Sequence, residues 1–387
     1  MSESYTALLP VFAVSAATPV LVGLMPPRFR LPQVVLLLAG GVIIGPQALG
    51  WSSPADVKLL SDLGLGFLFL LAGYELDPRI MREPTGRRAT WSWLTSLAIS
   101  VAFVATLAAT GLVHSVATVA IALTTTALGV LLPVMRENGL LDSPLGKQVF
   151  ASGAAGELGP IVAMALFLGT RHTGPELVLL ILFAVAAIGL AYVPGRVRLP
   201  RTTEVLLRSE HGTGQSTLRL TLALLVALLA VTADLGFDSV LGAFVAGMVL
   251  RHWAPGDVDK LEDKLDIVGW GVFIPVFFVS SGMALDIHSI AQRPLLLIVV
   301  LVLLLLVRGG PTLLWYRRAL PVRERLQLSL FSATALPLIV ALTGLAVADG
   351  SMGTDAAAAL VGAGAVSVLI FPLLAVTIGR KGAERRT

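Results

Sequence analysis

The residues of this sequence best placed for chemistry are two ionisable side chains inside long apolar stretches. Glu157 stands in ASGAAGELGP, after which the chain continues without a charge to Gly169. Arg308 stands in VLVLLLLVRGGPTLLWY. An ionisable group at membrane depth is costly, and such groups commonly belong to ion or proton pathways. The two residues therefore predict an ion or proton site within a membrane, although a structural pairing of Glu157 with Arg308 is the alternative.

The elements that carry these residues are predicted to be transmembrane helices. The 387 residues are 56% hydrophobic and only 13% charged, whereas soluble domains carry about 25% charged residues. Apolar runs long enough to cross a bilayer predict an all-α polytopic membrane protein of about 13 transmembrane helices. The runs are roughly 5–24, 32–49, 59–76, 90–112, 115–135, 148–170, 176–194, 217–235, 238–254, 269–286, 294–316, 326–348 and 355–378.

The basic residues predict the orientation of these helices. Most of the 28 Lys and Arg residues fall in alternate connections, whereas the opposite connections hold Lys58, Arg171 and Arg293. Because cytoplasmic loops are enriched in Lys and Arg, the N-terminus is expected outside and the C-terminus in the cytoplasm. The basic balance of the chain then reflects membrane topology, and no nucleic-acid partner is expected.

The two halves of the chain resemble each other at an offset near 208 residues. LAGGVIIG matches VAGMVLRH, FLFLLAGYELD matches PVFFVSSGMALD, and TTTALG matches SATALP, in the same order. The offset spans seven predicted helices, so the two repeats have opposite orientations, as in many secondary transporters. The first repeat is predicted at about 30–170, a linker at about 195–217, and the second repeat at about 238–378.

Corresponding segments of the repeats predict interrupted helices. Thr124–Gly129 and Ser332–Pro337 fall within predicted spans, where Thr, Gly and Pro weaken helical continuity. A broken helix leaves backbone groups free, which is tolerated in a membrane where they line a cavity or pack against protein. Thr125, Thr126 and Thr334 are therefore candidate ion ligands. Close helix packing explains either segment alone, but the matched pair favours a site.

With these runs and the longer stretches that follow, the chain resembles the monovalent cation:proton antiporter superfamily, in particular the Kef and NapA branch. We expect it to differ from the Kef proteins by not having their C-terminal nucleotide-binding domain. RLPQVVLLLAGGVIIGPQALG, LLSDLGLGFLFLLAGYELD and IPVFFVSSGMALD carry the resemblance, together with TTTALGVLLPVMRENGLLDSPLGKQVFASGAAGELGP. It implies one exchanger-type transmembrane domain over 1–387, with two crossed discontinuous helices as in NhaA and NapA. It also implies a homodimer in a bacterial plasma membrane, in which a core domain moves against a dimerisation domain.

The resemblance also assigns residues to roles. The family's ion-binding carboxylate follows the loop glycine by eleven positions, which leads from Gly146 to Glu157. The family usually has Asp there, preceded by Asp, Asn or Gln, whereas this sequence has Gly156–Glu157. The family's intramembrane Lys or Arg corresponds to Arg308, which is expected to stabilise the core. Glu75 is a candidate for the ion pathway, with a helix cap or salt bridge as the alternative.

These features predict exchange of Na⁺ or K⁺ for H⁺ by competition at Glu157, with elevator-type movement and no net charge transfer. A protein of this type needs no cofactor and no metal beyond the transported ion. No enzyme motif such as GxSxG or HExxH is present, so an enzyme is not expected. The alternative function is a transport-inactive or channel-like homologue that acts as an ion sensor or scaffold.

Overall fold

The structure is a computed structural model. It describes residues 2–25, 31–75, 83–109, 115–141, 143–167, 215–235, 239–253, 258–292, 294–348 and 350–383, and the isolated positions 182, 185, 186 and 189. Helices account for most of these residues, and the described ranges contain no β-strand. The predicted all-α fold class is therefore confirmed.

The described helices are numbered in chain order. They are α1 Ser2–Leu24, α2 Gln33–Ile44, α3 Lys58–Glu75, α4 Pro84–Ala109, α5 Val116–Ala122, α6 Leu128–Glu137, α7 Pro144–Phe167, α8 Ser216–Leu235, α9 Ser239–Trp253, α10 Val258–Val268, α11 Ile274–Met283, α12 Ile287–Gln292, α13 Pro294–Leu304, α14 Gly310–Trp315, α15 Val322–Ser332, α16 Pro337–Ala348 and α17 Thr354–Ala383. Wider, π-helical turns at Gly269–Phe273 and Leu305–Gly309 connect α10 to α11 and α13 to α14.

Several of these helices are suited to a bilayer. Within the described ranges, seven stretches are long and apolar enough to cross a membrane: Tyr5–Leu24, Pro84–Ala109, Thr217–Leu235, Leu261–Met283, Pro294–Trp315, Val322–Ala348 and Thr354–Gly379. Shorter apolar helices occur at Gln33–Ile44 and Val240–Trp253. The predicted span at 176–194 and nearly all of the linker at 195–217 lie outside the described residues, so the count of thirteen spans stays a prediction.

Two helices are interrupted where the sequence predicts it. α5 ends at Ala122 and α6 begins at Leu128, and α15 ends at Ser332 and α16 begins at Pro337. Pro337 suits the first turn of a helix because its missing N–H would have no partner there. The two breaks touch, since the Ala127 N–H donates to the Thr334 carbonyl at 2.8 Å. The predicted pair of crossed discontinuous helices is confirmed.

The chain forms two compact units. The first contains Met1–Val57, Pro78–Ala163 and Phe278–Thr387, and the second contains Lys58–Asp77 and Met164–Phe277. In the first unit, α4 packs against α5, α14 and the turn Leu305–Gly309, while α17 packs against α13, α15 and α16. Both interrupted helices, Glu157 and Arg308 belong to this unit, which therefore fixes their mutual geometry.

Glycines bring α3 and α9 together in the second unit. A Cβ atom at Gly73 would overlap the Phe244 carbonyl, and one at Gly247 would overlap the Leu70 carbonyl. Small residues allow this close approach of two backbones, which is common between membrane helices.

The first unit contains a similar contact between α2 and α11. A Cβ atom at Gly41 would overlap the Val279 carbonyl, and one at Gly282 would overlap the Leu38 carbonyl. The sequence match pairs the run of α2 with that of α9, and the run of α3 with that of α11. The same type of glycine contact thus joins corresponding helices in each unit, as expected of an internal repeat.

We expect Gly73→Ala to reduce the free energy of unfolding by about 2–3 kcal/mol, because the added methyl group forces two backbones apart. Gly66→Ala on the same helix is the matched control, since its Cβ atom would make only ordinary contact, 3.4 Å from Leu229. Thermal unfolding of the purified proteins in detergent measures both. Equal melting temperatures for the two variants would contradict the close contact of α3 with α9.

Candidate functional site

The two interrupted helices meet α7 at Thr126, in the break between α5 and α6. The Thr126 hydroxyl donates to the Ser332 carbonyl at 2.7 Å. Its backbone N–H donates to the Gly156 carbonyl on α7 at 2.9 Å. Thr126 therefore joins both breaks to the helix that carries Glu157.

Arg308 is fully buried and binds the same group of residues. Its Nε–H donates to the Thr126 hydroxyl at 3.0 Å, and its Nη2 donates to the Ser152 carbonyl at 2.7 Å and the Ser152 hydroxyl at 3.2 Å. The Ser152 and Ser332 hydroxyls lie 2.9 Å apart. Nη1 has no hydrogen-bond partner in the described part of the chain. The π-helical turn that contains Arg308 is a type of distortion common at functional sites.

Glu157 reaches from the middle of α7 to the start of α6. The backbone N–H of Leu128, the first residue of α6, donates to Glu157 Oε1 at 2.8 Å. Free N–H groups at a helix N-terminus favour a negative charge. Glu157 keeps part of its surface accessible. Among the described residues, its carboxylate forms no ion pair with Arg308, so the geometry does not support a structural pairing of these two side chains.

The other predicted ligands are near the crossing but their hydroxyls are engaged. The Thr125 hydroxyl donates to the Ala122 carbonyl at 2.8 Å, and the Thr334 hydroxyl donates to the Leu330 carbonyl at 3.0 Å. Each bond joins a residue of the break to the last turn of the half-helix that precedes it. Each hydroxyl oxygen still has lone pairs to offer. Glu75 is the last residue of α3 and belongs to the second unit.

The carbonyl groups of the two breaks differ in their hydrogen bonding. In the second break, the Ser332 and Thr334 carbonyls accept from Thr126 and Ala127, and the Ala335 carbonyl accepts from the Ser367 hydroxyl at 3.0 Å. In the first break, the carbonyls of Thr124–Thr126 accept no hydrogen bond from the described residues. Carbonyl oxygens without a donor among the described residues are therefore present in the first break, and Glu157 binds the N-terminus of the helix that follows this break.

The oxygen atoms at the crossing suit a hard monovalent cation better than a transition metal. Glu157 is the one carboxylate in this group of residues. The described part of the chain contains no cluster of three or more His, Cys, Asp or Glu that could hold a metal ion. The arrangement offers a single acid beside main-chain oxygens.

The structure explains why position 156 is a glycine, which the sequence alone does not reveal. A Cβ atom at this position would overlap the Thr126 side chain and lie 2.8 Å from Arg308 Nη2. The space that the family's usual polar residue would need is therefore filled by the Thr126 hydroxyl and the Arg308 guanidinium. A glycine at position 156 is what allows Thr126 and Arg308 to approach α7 this closely.

Ser152 and Ser332 were also missed as members of the site. Ser152 lies five residues before Glu157, and in the sequence Ser332 is only the first residue of a predicted break. Small hydroxyl residues are common in packed membrane helices, so their types alone carry little signal. A search for acceptors within reach of a buried Arg308 could have found them.

An all-helical membrane protein with two interrupted helices that cross beside a partly buried carboxylate and a buried arginine belongs to the transporter folds with discontinuous helices. The chain belongs to the sodium/hydrogen exchanger family, because the family's transmembrane model matches residues 15–379. This membership confirms the resemblance seen in the sequence.

Individual relatives agree with this family. YjbQ of Bacillus subtilis (strain 168), provisionally named a Na(+)/H(+) antiporter, is 30% identical over 318 residues, which are 76% of this chain and 50% of that protein. Cation/H(+) antiporter 18 of Arabidopsis thaliana is 28% identical over 313 residues, 73% of this chain and 37% of that protein. The chain thus spans half or less of the length of these two relatives.

A solved structure has the same fold. The sodium proton antiporter MjNhaP1 from Methanocaldococcus jannaschii, at pH 8, superposes with a TM-score of 0.66 and 17% sequence identity. The match covers 98% of this chain and 97% of that one.

We expect Gly156→Ala to reduce the free energy of unfolding by about 2–3 kcal/mol, since the methyl group has no space beside Thr126 and Arg308. Gly129→Ala is the matched control, because no atom lies within 4 Å of its Cβ position. Thermal unfolding in detergent compares the two variants. A Gly156→Ala protein as stable as Gly129→Ala would mean that Arg308 does not occupy this space.

Proposed function

We propose that this protein exchanges a monovalent cation, Na⁺ or K⁺, for H⁺ across a membrane, with both ions competing for Glu157. The observation that carries the proposal is the Glu157 carboxylate at the N-terminus of α6, beside unpaired carbonyls and without an ion-pair partner among the described residues. The names of the relatives and the family membership agree with this function.

The exchange follows from the cost of a negative charge inside a membrane. The Glu157 carboxylate can be neutralised by a proton or by a cation, but both cannot occupy it together. Without a bound ion, the deprotonated Glu157 carboxylate is partly stabilised by the Leu128 N–H and the dipole of α6. It can therefore stay charged until a proton or a cation binds. The Thr124–Thr126 carbonyls would complete the oxygen ligands of a bound cation, with the Thr125 hydroxyl as a further donor of lone pairs.

Arg308 has a different role in this proposal. It lies beside the C-terminal ends of α5 and α15, through Thr126 and Ser332, where carbonyl groups carry partial negative charge. A guanidinium group keeps its proton in proteins, so Arg308 is a fixed charge that stabilises the crossing. Glu157 is then the group that changes its charge during the cycle.

One carboxylate that trades one proton for one monovalent cation transfers no net charge. The exchange is therefore electroneutral. Following the family resemblance, it proceeds by elevator-type movement in a homodimer, in a bacterial plasma membrane with the N-terminus outside and the C-terminus in the cytoplasm. Glu75 serves the ion pathway only if a second acid joins the cycle.

A channel-like or transport-inactive homologue, acting as an ion sensor or scaffold, is the second candidate function. Gly156 favours it, because the position lacks the polar side chain usual in the family. Flux into proteoliposomes under an imposed pH gradient distinguishes the two, because an exchanger couples the movement of the ions and a channel does not.

We expect Glu157→Gln to abolish proton-coupled cation flux, because the amide resembles the protonated acid permanently. The variant should fold and insert as the wild type does. Glu157→Asp is the matched control: it keeps a titratable acid one methylene shorter and should retain exchange with an altered cation affinity. Flux of all three proteins is measured in proteoliposomes at equal protein incorporation.

Two results would contradict the mechanism. Wild-type exchange by Glu157→Gln would show that Glu157 is a structural residue. A strong response of the wild-type rate to a clamped membrane potential would show that exchange is not one for one.

We expect Arg308→Ala to lower the free energy of unfolding by about 3 kcal/mol or more, because it removes charge-assisted hydrogen bonds to Thr126 and Ser152 and leaves a cavity. Arg308→Lys should recover part of the loss, since an ammonium group can reach one acceptor but lacks the planar fork. Thermal unfolding provides the measurement. If Arg308→Ala is as stable as the wild type yet inactive, Arg308 acts on the ions directly and not through the fold.

A further inference from the structure

A basic and aromatic surface, made of residues that do not belong to the Glu157 site, lies where α4 begins and α14 ends. We call it the Arg–Trp surface; it consists of Arg87, Arg88, Trp91, Trp315, Arg317 and Arg318. α4 and α14 pack against each other. The Trp91 and Trp315 rings stack, with centroids 6.2 Å apart and planes at 16°. The two helix ends thus form one continuous surface within the first unit.

The tryptophans of this surface are exposed although they are held in place. Trp91 is 53% exposed and Trp315 is 41% exposed. The Trp315 indole N–H donates to the Thr95 hydroxyl at 2.9 Å, which fixes the orientation of that ring. The Trp91 indole N–H has no partner in the described part of the chain, so it is free to donate to a molecule that covers the surface.

The arginines of the surface have no acidic partner. Arg87, Arg317 and Arg318 are exposed and Arg88 is partly exposed. None of the four forms an ion pair among the described residues. The nearest acid along α4 is Glu83, which is also exposed. Among the described residues, none of these four cationic groups next to the two exposed indoles is therefore within ion-pair distance of an acid.

The side chains change in a regular order along the two helices. Arg87 precedes Trp91 by one helical turn, a rise of about 6 Å, and lies on the same face. Beyond the tryptophans, the exposed side chains are apolar: Leu94 and Ile99 on α4, and Leu314 and Leu306 on and before α14. Cationic, aromatic and aliphatic groups follow one another, which is the order of phosphate, glycerol and acyl chain in a phospholipid.

We propose that the Arg–Trp surface binds an anionic phospholipid of the cytoplasmic leaflet. The arginines bind the phosphate of the headgroup, the indoles lie at the level of the glycerol esters, and the acyl chains cover the exposed leucines. The predicted orientation brings this end of α4 and α14 to the cytoplasm. α4 also contacts the turn that carries Arg308, so a bound lipid holds together two elements of the first unit.

Thermal unfolding of the purified protein with added phosphatidylglycerol or phosphatidylcholine tests this proposal. Phosphatidylglycerol should raise the melting temperature of the wild type more than phosphatidylcholine does. The double substitution Arg87→Gln with Arg317→Gln should weaken the apparent affinity for phosphatidylglycerol at least tenfold. Arg136→Gln with Lys147→Gln is the matched control, since it removes two exposed charges elsewhere in the first unit and should leave the affinity unchanged.

Further ligands and variants in the same experiment identify what the Arg–Trp surface recognises. Glycerol phosphate and inorganic phosphate should not stabilise the protein at the same concentration, and Trp91→Phe should weaken lipid binding less than Trp91→Ala. If soluble phosphate raised the melting temperature as much as phosphatidylglycerol does, the surface would be a small-anion site. That result would overturn the proposal. Equal effects of the two lipids, or an equal loss of affinity in the control variant, would overturn it as well.

Discussion

The contact between Arg308 and Thr126 is the interaction on which the rest of the core depends. A buried guanidinium group must satisfy its donors within the protein, because hydrocarbon offers no acceptors. Arg308 satisfies Nε and Nη2 by bonding to Thr126 and Ser152, whereas Nη1 has no partner among the described residues. Thr126 in turn bonds to the second break through Ser332. One charged side chain thereby sets the distance between α7 and both interrupted helices. Gly156 is required because that distance leaves no space for a side chain.

The two helix breaks satisfy their backbone N–H and carbonyl groups in different ways. The second break is closed by neutral groups: the Ser367 hydroxyl accepts from the Ala335 N–H and donates to the Ala335 carbonyl. The first break is closed at Leu128 by the Glu157 carboxylate, while the carbonyls of Thr124–Thr126 accept no hydrogen bond from the described residues. The charged group is therefore at the first break, where more of the carbonyl oxygens are without a described partner than at the second.

The sequence predicts the helical fold, the two breaks and the pair of intramembrane charges, because each has a strong local signal: long apolar runs, Thr and Pro within a span, and a charge in an apolar run. It does not predict the partners of Arg308, since they depend on how four helices pack. Ser152 and Ser332 are ordinary small residues in the sequence and become part of the site only when Arg308 reaches them. The same limit applies to Gly156, which looks like a lost ligand until the volume around it is known.

The separation of Glu157 from Arg308 determines how the site can change charge. In a direct ion pair, protonation of Glu157 would leave a buried cation without its partner, at a cost of several kcal/mol. Here Arg308 is held by carbonyl and hydroxyl groups that do not titrate, so none of its hydrogen-bond partners changes its charge when Glu157 does. The carboxylate is held by the Leu128 N–H, a contact that either state can keep. In the proposed exchange, Glu157 would therefore alternate between a proton and a cation, each of which neutralises it, while the crossing that holds it stays intact.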